Sequence, residues 1–241
     1  MIMIIKLFGN VYFKLNVPFT IKRSEKTEKE IEKNWVEFLK QNKSNNIFNG
    51  NVFLVTNIVK NNEDYCFEVG KTKYSDLVYI KKSNYLKARS LFVASYIYTK
   101  DDYVCIIKDK NGRINTIGGL ADDADFDHNN FFPQKCIERE FMEELGLDLS
   151  KKQLFYEYKI EYIKIPNEKE KKISLYPVGL LYRINTTLTK EEIIEEFISN
   201  KNFTDGEVSE IAFFNKNTYS SINQCKNIVS YIPELLHKIF N

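Results

Sequence analysis

The sequence predicts an α/β protein of the α+β kind, and three observations carry that reading. Runs of β-branched and aromatic residues recur along most of the chain, as in "NVFLVTNIV" and "LFVASYIY". Segments with apolar residues three and four apart lie between and after them, as in "TEKEIEKNWVEFLK". Apolar residues make up 43% and aromatic residues 14% of the 241, with 15 Tyr and 18 Phe, enough for a sizeable core. That length has room for one large domain, or for a main domain with a smaller one.

The opening "MIMIIKLFGNVYFKLN" alternates like a strand. Lys6, Asn10 and Lys14 interrupt it, so it has neither the length of a membrane span nor the order of a signal peptide. Ile31, Trp35, Phe38 and Leu39 then fall at helical spacing, and Thr27 with Glu30 offers a capping box. An Asn-Gly turn at 49–50 leads into "NVFLVTNIV", and "DYCFEVGKTKYSDLVYI" continues in strand character. Residues 1–89 therefore read as a small α+β module, and 90–241 as the main domain.

In the main domain two long strands meet at Lys100–Asp102, and a turn at Asn111–Gly112 precedes a short strand that ends in Gly118–Gly119. The stretch "LADDADFDHNNFF" has no hydrophobic period. Pro133 suits the first turn of a helix, "QKCIEREFMEELG" continues it, and Gly146 caps it. "LFYEYKIEYIKI" and "ISLYPVGLLYRIN" are strands around a charged loop whose Lys169–Lys172 reads as a solvated tip. Thr189 and Glu192 cap the helix "KEEIIEEFI", and "EVSEIAFF" alternates like a last strand. The end, "INQCKNIVSYIPELLHKIF", reads as helix, restarted or kinked at Pro233.

Charge and cysteine usage narrow the function classes. Lys plus Arg (35) nearly balances Asp plus Glu (33), so a net charge of +2 gives no electrostatic reason to expect duplex nucleic acid as partner. Cys66, Cys105, Cys136 and Cys225 form no C-x-x-C pair, which argues against a zinc knuckle and for thiols in a reducing compartment. A cytoplasmic protein without a membrane anchor is expected. His128 and His237 read as a solvated loop residue and a core-edge residue.

The informative stretch is "REFMEELGL", residues 139–147. Residues three and four apart share a helical face, so Glu140, Glu143 and Glu144 crowd one side near a helix C-terminus. Like charges at that spacing cost a few tenths of a kcal/mol per pair. A hard divalent cation repairs the arrangement, because Mg2+ or Mn2+ prefers carboxylate oxygens. The equally acidic "KEEIIEEF" lacks the arginine, the trailing glycine and the upstream glycine pair, and reads as a solvated face.

Arg139, Glu140, Phe141, Glu143, Glu144, Gly146 and Leu147 together resemble the second half of the Nudix box, GX5EX7REUXEEXGU with U apolar. In layout the resemblance extends over about residues 90 to 215. It implies a Nudix-type α/β/α sandwich with a mixed sheet. The first half departs from the pattern. From Gly119 the family places a glutamate six residues on and the arginine fourteen on, whereas Arg139 lies twenty on. Counting back eight from Arg139 reaches Phe131 instead of a glutamate. Asp122, Asp123, Asp125 and Asp127 in the insertion can replace that glutamate, although a solvated longer loop is the simpler expectation.

What the resemblance implies is metal-dependent hydrolysis of the diphosphate linkage in a nucleoside diphosphate derivative. Glu140 and Glu144 would be the principal ligands of Mg2+ or Mn2+, with Glu143 sharing the cluster and Arg139 orienting a glutamate. Gly118 and Gly119 would let the backbone approach the helix and the substrate. "FTDGEVSEIAFF" offers Asp205, Glu207 and Glu210 as a further carboxylate, of which Glu207 is the choice for the base. The leading module, through "FNGNVFLVTNIV" and "VGKTKYSDL", looks like that of members acting on nucleotide sugars such as UDP- or ADP-sugars. Tyr74, Lys71 and Tyr96 are the side chains considered for base stacking or phosphate contact, and Tyr74 and Lys71 are assigned to substrate. A Nudix-fold sensor or interaction module that has lost catalysis is the alternative. Oligomeric state stays open, with the leading module as the surface a homodimer would use.

Overall fold

The opening alternation breaks at Leu7–Asn10, and the two halves go to different partners. The computed structural model describes residues 2–15, 23–42, 47, 49–83, 89–127, 130–166 and 177–241. β1 (Ile2–Lys6) runs antiparallel along β11 (Phe155–Pro166), whereas β2 (Val11–Leu15) runs parallel to β4 (Asp64–Lys73). The single expected strand is therefore two.

α1 (Glu25–Gln41) starts earlier than the Thr27–Glu30 box suggested. Ser24 is its N-cap, its hydroxyl accepting from the Thr27 N–H at 3.1 Å, while the Thr27 hydroxyl is occupied with Ser24 Oγ at 2.9 Å. β3 (Asn51–Asn61) and β4 form a hairpin. β4 stops at Lys73, where strand character had been expected to run on to Ile80. Asp76 accepts from Thr72 Oγ1 at 2.6 Å and from the Lys73 N–H at 3.3 Å, and these bonds fold the chain into α2 (Tyr74–Ser83).

β5 (Arg89–Tyr98) is the axis of the main sheet. One edge carries β12 (Val178–Thr186) in parallel. The other is shared along its length by β3, by β8 (Ile117–Leu120) and by β6 (Val104–Asp109), all antiparallel. With layers on both faces, its residues are nearly all buried. The order through the sheet is β1-β11-β12-β5-β3-β4-β2. β13 (Val208–Phe214) and the short β7 (Ile114–Asn115) flank β6. On one face Val93, Leu180 and Ile163 pack under α3 (Pro133–Glu140) and α4 (Lys190–Asn200), through Ile137, Phe141, Ile193 and Phe197. On the other, Ala94, Tyr96 and Leu181 meet Ile232, Leu235 and Leu236 of α5 (Ile232–Phe240). The result is an α/β/α sandwich on a mixed sheet.

The boundary drawn at residue 89 falls inside β5. Leu54 pairs with Ser90, and Phe53, Val55, Phe67 and Val69 belong to the same buried cluster as Ile137 and Phe141. Alternate residues Val52 and Leu54 face the other way, onto Leu77 and Ile80 of α2. The C-terminal helix is shorter than expected. A 3₁₀ turn covers Tyr219–Gln224, and the α-helix begins only at Ile232, with Pro233 in its first turn. No helix of the described residues is long and apolar enough to cross a membrane.

Candidate active site on the glutamate helix

Pro133 opens α3, with Cys136, Ile137 and Glu140 on its buried face. The helix is not α throughout: Phe141–Leu145 is a π turn, closed by Gly146 in the left-handed region at φ 67°. Glu140 and Glu144 both face β8, 8% and 7% exposed. Glu144 Oε2 accepts from the Gly118 N–H at 2.9 Å. A Cβ on Gly119 would sit 2.2 Å from Glu140 Oε1, and one on Gly118, at φ 142°, 2.2 Å from the Val93 carbonyl oxygen. The glycine pair thus leaves room for Glu140 on one side and for β5 on the other. Glu143, half-exposed, stays at the rim.

Arg139 ties the carboxylates together. Its Nη1 donates to Glu140 Oε1 at 2.7 Å and to Glu143 Oε2 at 3.1 Å. Its Nη2 reaches Asp125 Oδ2 at 3.4 Å and lies 3.7 Å from Asp122 Oδ2. The expectation of a solvated insertion fails for Asp125, which is 1% exposed. Asp122 caps a 3₁₀ turn at Asp123–Asp125, and Asp125 Oδ2 accepts the Asp122 N–H at 3.0 Å in return. Asp125 stands six residues past Gly119, where the family pattern has its first glutamate, so the extra residues follow it. Phe131, reached by counting back from Arg139, is a core residue against Phe13 and Phe126. The forward count held the signal, but counts alone do not say where an insertion lies.

Burial pushes the Glu140 carboxyl up to about 7, with Glu143 adding to the push and Arg139 opposing it. Burial likewise raises Glu144 well above the usual carboxylate range, helped by Glu140, Asp205 and Glu207 against the Gly118 hydrogen bond. Burial also raises Asp125, whose Oδ1 has no hydrogen-bond partner, and neither has Arg139 Nε. For Arg139, burial works against the charge and the surrounding carboxylates more than offset it. One guanidinium therefore serves four neighbouring carboxylates.

Such a donor set suits a hard divalent cation, since it offers carboxylate oxygens, crowded and short of positive charge. Among the described residues, however, no three ligating side chains already form a coordination cluster. Arg139 occupies Glu140 and Glu143, and Glu144 is turned to the Gly118 amide. Glu140, Glu143 and Glu144 match such an ion in donor chemistry, while their carboxylates are not gathered as three ligands.

The loop before β13 comes up to the same end of the helix: the Asp205 N–H donates to the Glu143 carbonyl at 2.8 Å, and Asp205 and Glu207 both act on Glu144 electrostatically. Glu207 lies 3.9 Å from Lys110. Glu210 pairs with Lys108 at 2.9 Å and faces solvent. Lys71 makes an ion pair with Asp123. Tyr74 packs edge-on against Trp35 and Phe38, both at 5.8 Å, between α1 and α2. Tyr96 is fully buried and donates to Glu161. The structure gathers Gly118, Gly119, Arg139, Glu140, Glu143, Glu144 and Glu207, and places Tyr74 and Tyr96 in packing of their own. His237 contacts Tyr219 and Asn241 at the chain end. His128 and Lys169–Lys172 lie outside the described residues.

No protein-family profile matches the sequence, and no curated protein matches it. Among solved structures it is similar to Tm1382, assigned to the Nudix hydrolases, with a TM-score of 0.50 and 14% identity over 79% of this chain and 100% of that one. The NUDIX domain of Shewanella oneidensis NrtR complexed with ADP ribose gives a TM-score of 0.42 and 12% identity, over 70% of this chain and 100% of that one. At 14% identity the likeness to Tm1382 speaks for the fold alone.

Proposed function

We propose that this chain, which has the Nudix fold, is a hydrolase that cleaves the diphosphate linkage of a nucleoside diphosphate derivative with Mg2+ or Mn2+. The observation that carries this reading is the pair of buried carboxylates, Glu140 and Glu144, facing a glycine pair with too little positive charge around them. Two buried carboxyls a turn apart, both pushed towards the neutral form, are unfavourable as anions unless something shares their charge. Glu140 and Glu144 would hold the ion, with Glu143 at the rim and Arg139 keeping the carboxylates in place. When held there, a divalent ion would supply positive charge to the phosphates and would lower the pKa of a water. Glu207 would be the carboxylate that takes the proton from the attacking water, supported by its electrostatic effect on Glu144. The water oxygen bonds to one phosphorus as the bridging P–O bond breaks, giving a nucleoside monophosphate and a phosphorylated second product.

The substrate we infer is a nucleotide sugar, UDP- or ADP-linked, from the likeness of the leading segment to that of such enzymes. It is a small molecule, and neither a duplex nor a membrane is needed to present it. The cysteines described are free thiols, which suits the cytoplasm. The test is release of product, dependent on Mg2+, across UDP-, ADP-, GDP- and CDP-linked compounds. One observation favours a second reading: Arg139 already neutralises Glu140 and Glu143 in part, as a nucleotide sensor without catalysis would allow. Binding of these compounds with no release from any of them would establish the sensor.

A further inference from the structure

The Asp122–Asp125 turn and the residues after it are held by the leading strands. Asp123, at the start of the 3₁₀ turn, receives a hydrogen bond from Asn51 Nδ2 and an ion pair from Lys71, both on the leading hairpin β3–β4. Phe126, next to Asp125, stacks on Phe53 of β3 with ring centroids 3.7 Å apart. β9 (Phe126–Asp127) pairs with β10 (Asn130–Phe131), and Phe131 meets Phe13 of β2 edge-on at 4.7 Å. A chain of rings therefore runs from the leading strands into the insertion, each contact of a kind contributing about 1 kcal/mol beyond its burial.

The turn needs this support. Three residues of 3₁₀ helix have almost no stability of their own. Asp125 is buried with one oxygen unpartnered, so the turn works against a desolvation cost wherever it stands. Its position decides where Asp125 meets Arg139, and Arg139 in turn fixes Glu140 and Glu143.

We infer that Lys71, Asn51 and Phe53 are positioning residues for the carboxylate site, acting through the Asp122–Asp125 turn on Arg139. On this assignment Lys71 is not a substrate contact but part of the clamp. The leading strands are then a working part of the site. The inference rests on the hydrolase reading only for its kinetic consequence.

Charge exchange on the full-length chain tests it, using K71E, D123K and the double variant K71E/D123K. Both side chains are about half exposed, so the fold tolerates the changes. Three quantities are read: the Mn2+ dissociation constant by calorimetry, the NMR signal of the Arg139 Nε–H, and kcat and KM separately. Each single variant is expected to weaken Mn2+ binding and lower kcat about fivefold, the scale of an exposed ion pair turned repulsive. Both are expected to move the Arg139 signal while the Tm falls by no more than about 4 °C, and the exchanged pair to restore all three to within about twofold. A K71E variant that raises KM alone, leaves Mn2+ affinity and the Arg139 signal untouched and is not rescued by D123K would overturn the inference and return Lys71 to the substrate. Wild-type protein that neither binds Mn2+ nor releases product would remove the hydrolase reading. The Arg139 signal, moved by K71E and restored by the exchange, would still decide the positioning role.

Discussion

The neighbouring glycines of β8 are expected to respond to the same substitution in opposite ways. An added methyl at Gly118 would lie 2.2 Å from the Val93 carbonyl oxygen and 2.6 Å from the Ala94 Cα, both backbone atoms of the central strand. The residue also sits at φ 142°, which an L side chain rarely adopts. Backbone strain of about 1–3 kcal/mol and overpacking of about 1–3 kcal/mol give Gly118→Ala a loss of about 2–6 kcal/mol. At about 2–4 °C per kcal/mol for a chain of this size, its Tm falls by roughly 4–24 °C. At Gly119 the methyl meets only the end of the Glu140 side chain, with Oε1 at 2.2 Å and Cδ at 2.7 Å. That carboxylate can turn aside at the expense of its Arg139 hydrogen bond, so Gly119→Ala is expected to cost about 1–2 kcal/mol in stability. The displaced carboxylate no longer faces its site, and Mn2+ affinity and kcat/KM fall by about tenfold or more, as when a metal site loses its geometry. Calorimetry on both variants, with Mn2+ titration, reads the contrast. If Gly119→Ala melts as early as Gly118→Ala, or keeps wild-type affinity and turnover, Glu140 does not press on Gly119 as described.

Three further outcomes follow from the same geometry. Glu144→Gln is expected to cut turnover by about a hundredfold or more while its Tm holds or rises, because it removes a buried anion and no packing; retained activity would take Glu144 out of the site. In chelator, the stability from Glu140, ordinarily at 4.5 and held at about 7 in the fold, is complete below about 4.5 and lost as pH rises through about 7. Chelated protein should therefore melt lower at pH 8 than at pH 5, with Mg2+ narrowing the difference and Glu140→Gln reducing it, Glu144 and Asp125 keeping the remainder; an identical slope in that variant would contradict the assignment. Lys164 is 3% exposed between the rings of Phe92 and Tyr231, at 4.8 and 4.9 Å, and burial lowers it to about 8 from 10.5. Its contribution to stability is full above about 10.5 and lost as pH falls through about 8. Lys164→Met should accordingly gain about 1–2 kcal/mol at pH 7, after the lost cation–π contacts are counted, and lose that advantage towards pH 10 in thermal scans.

The sequence alone determined those features that depend on neighbours along the chain. Thr189 and Glu192 cap α4 because both partners lie within one turn, and Pro133 and Gly146 bound the glutamate helix through their own backbone preferences. The face shared by Glu140 and Glu144 follows from helical spacing, and with it the chemistry the pair can perform. Only the tertiary structure decided what depends on partners far away. The opening alternation does not say that β1 and β2 join different strands, since both halves are equally good strands. Asp122, Asp123, Asp125 and Asp127 are the same residue type within six positions. What separates Asp125 from Asp123 is that Arg139 stands over one, and Asn51 and Lys71 over the other. Tyr74 and Lys71 are three residues apart in the chain, yet one ends in an aromatic cluster under α1 and the other on the Asp122–Asp125 turn. Local sequence sets propensity and spacing, whereas the burial and counter-charge that give a carboxylate its role arise only when distant segments pack against it.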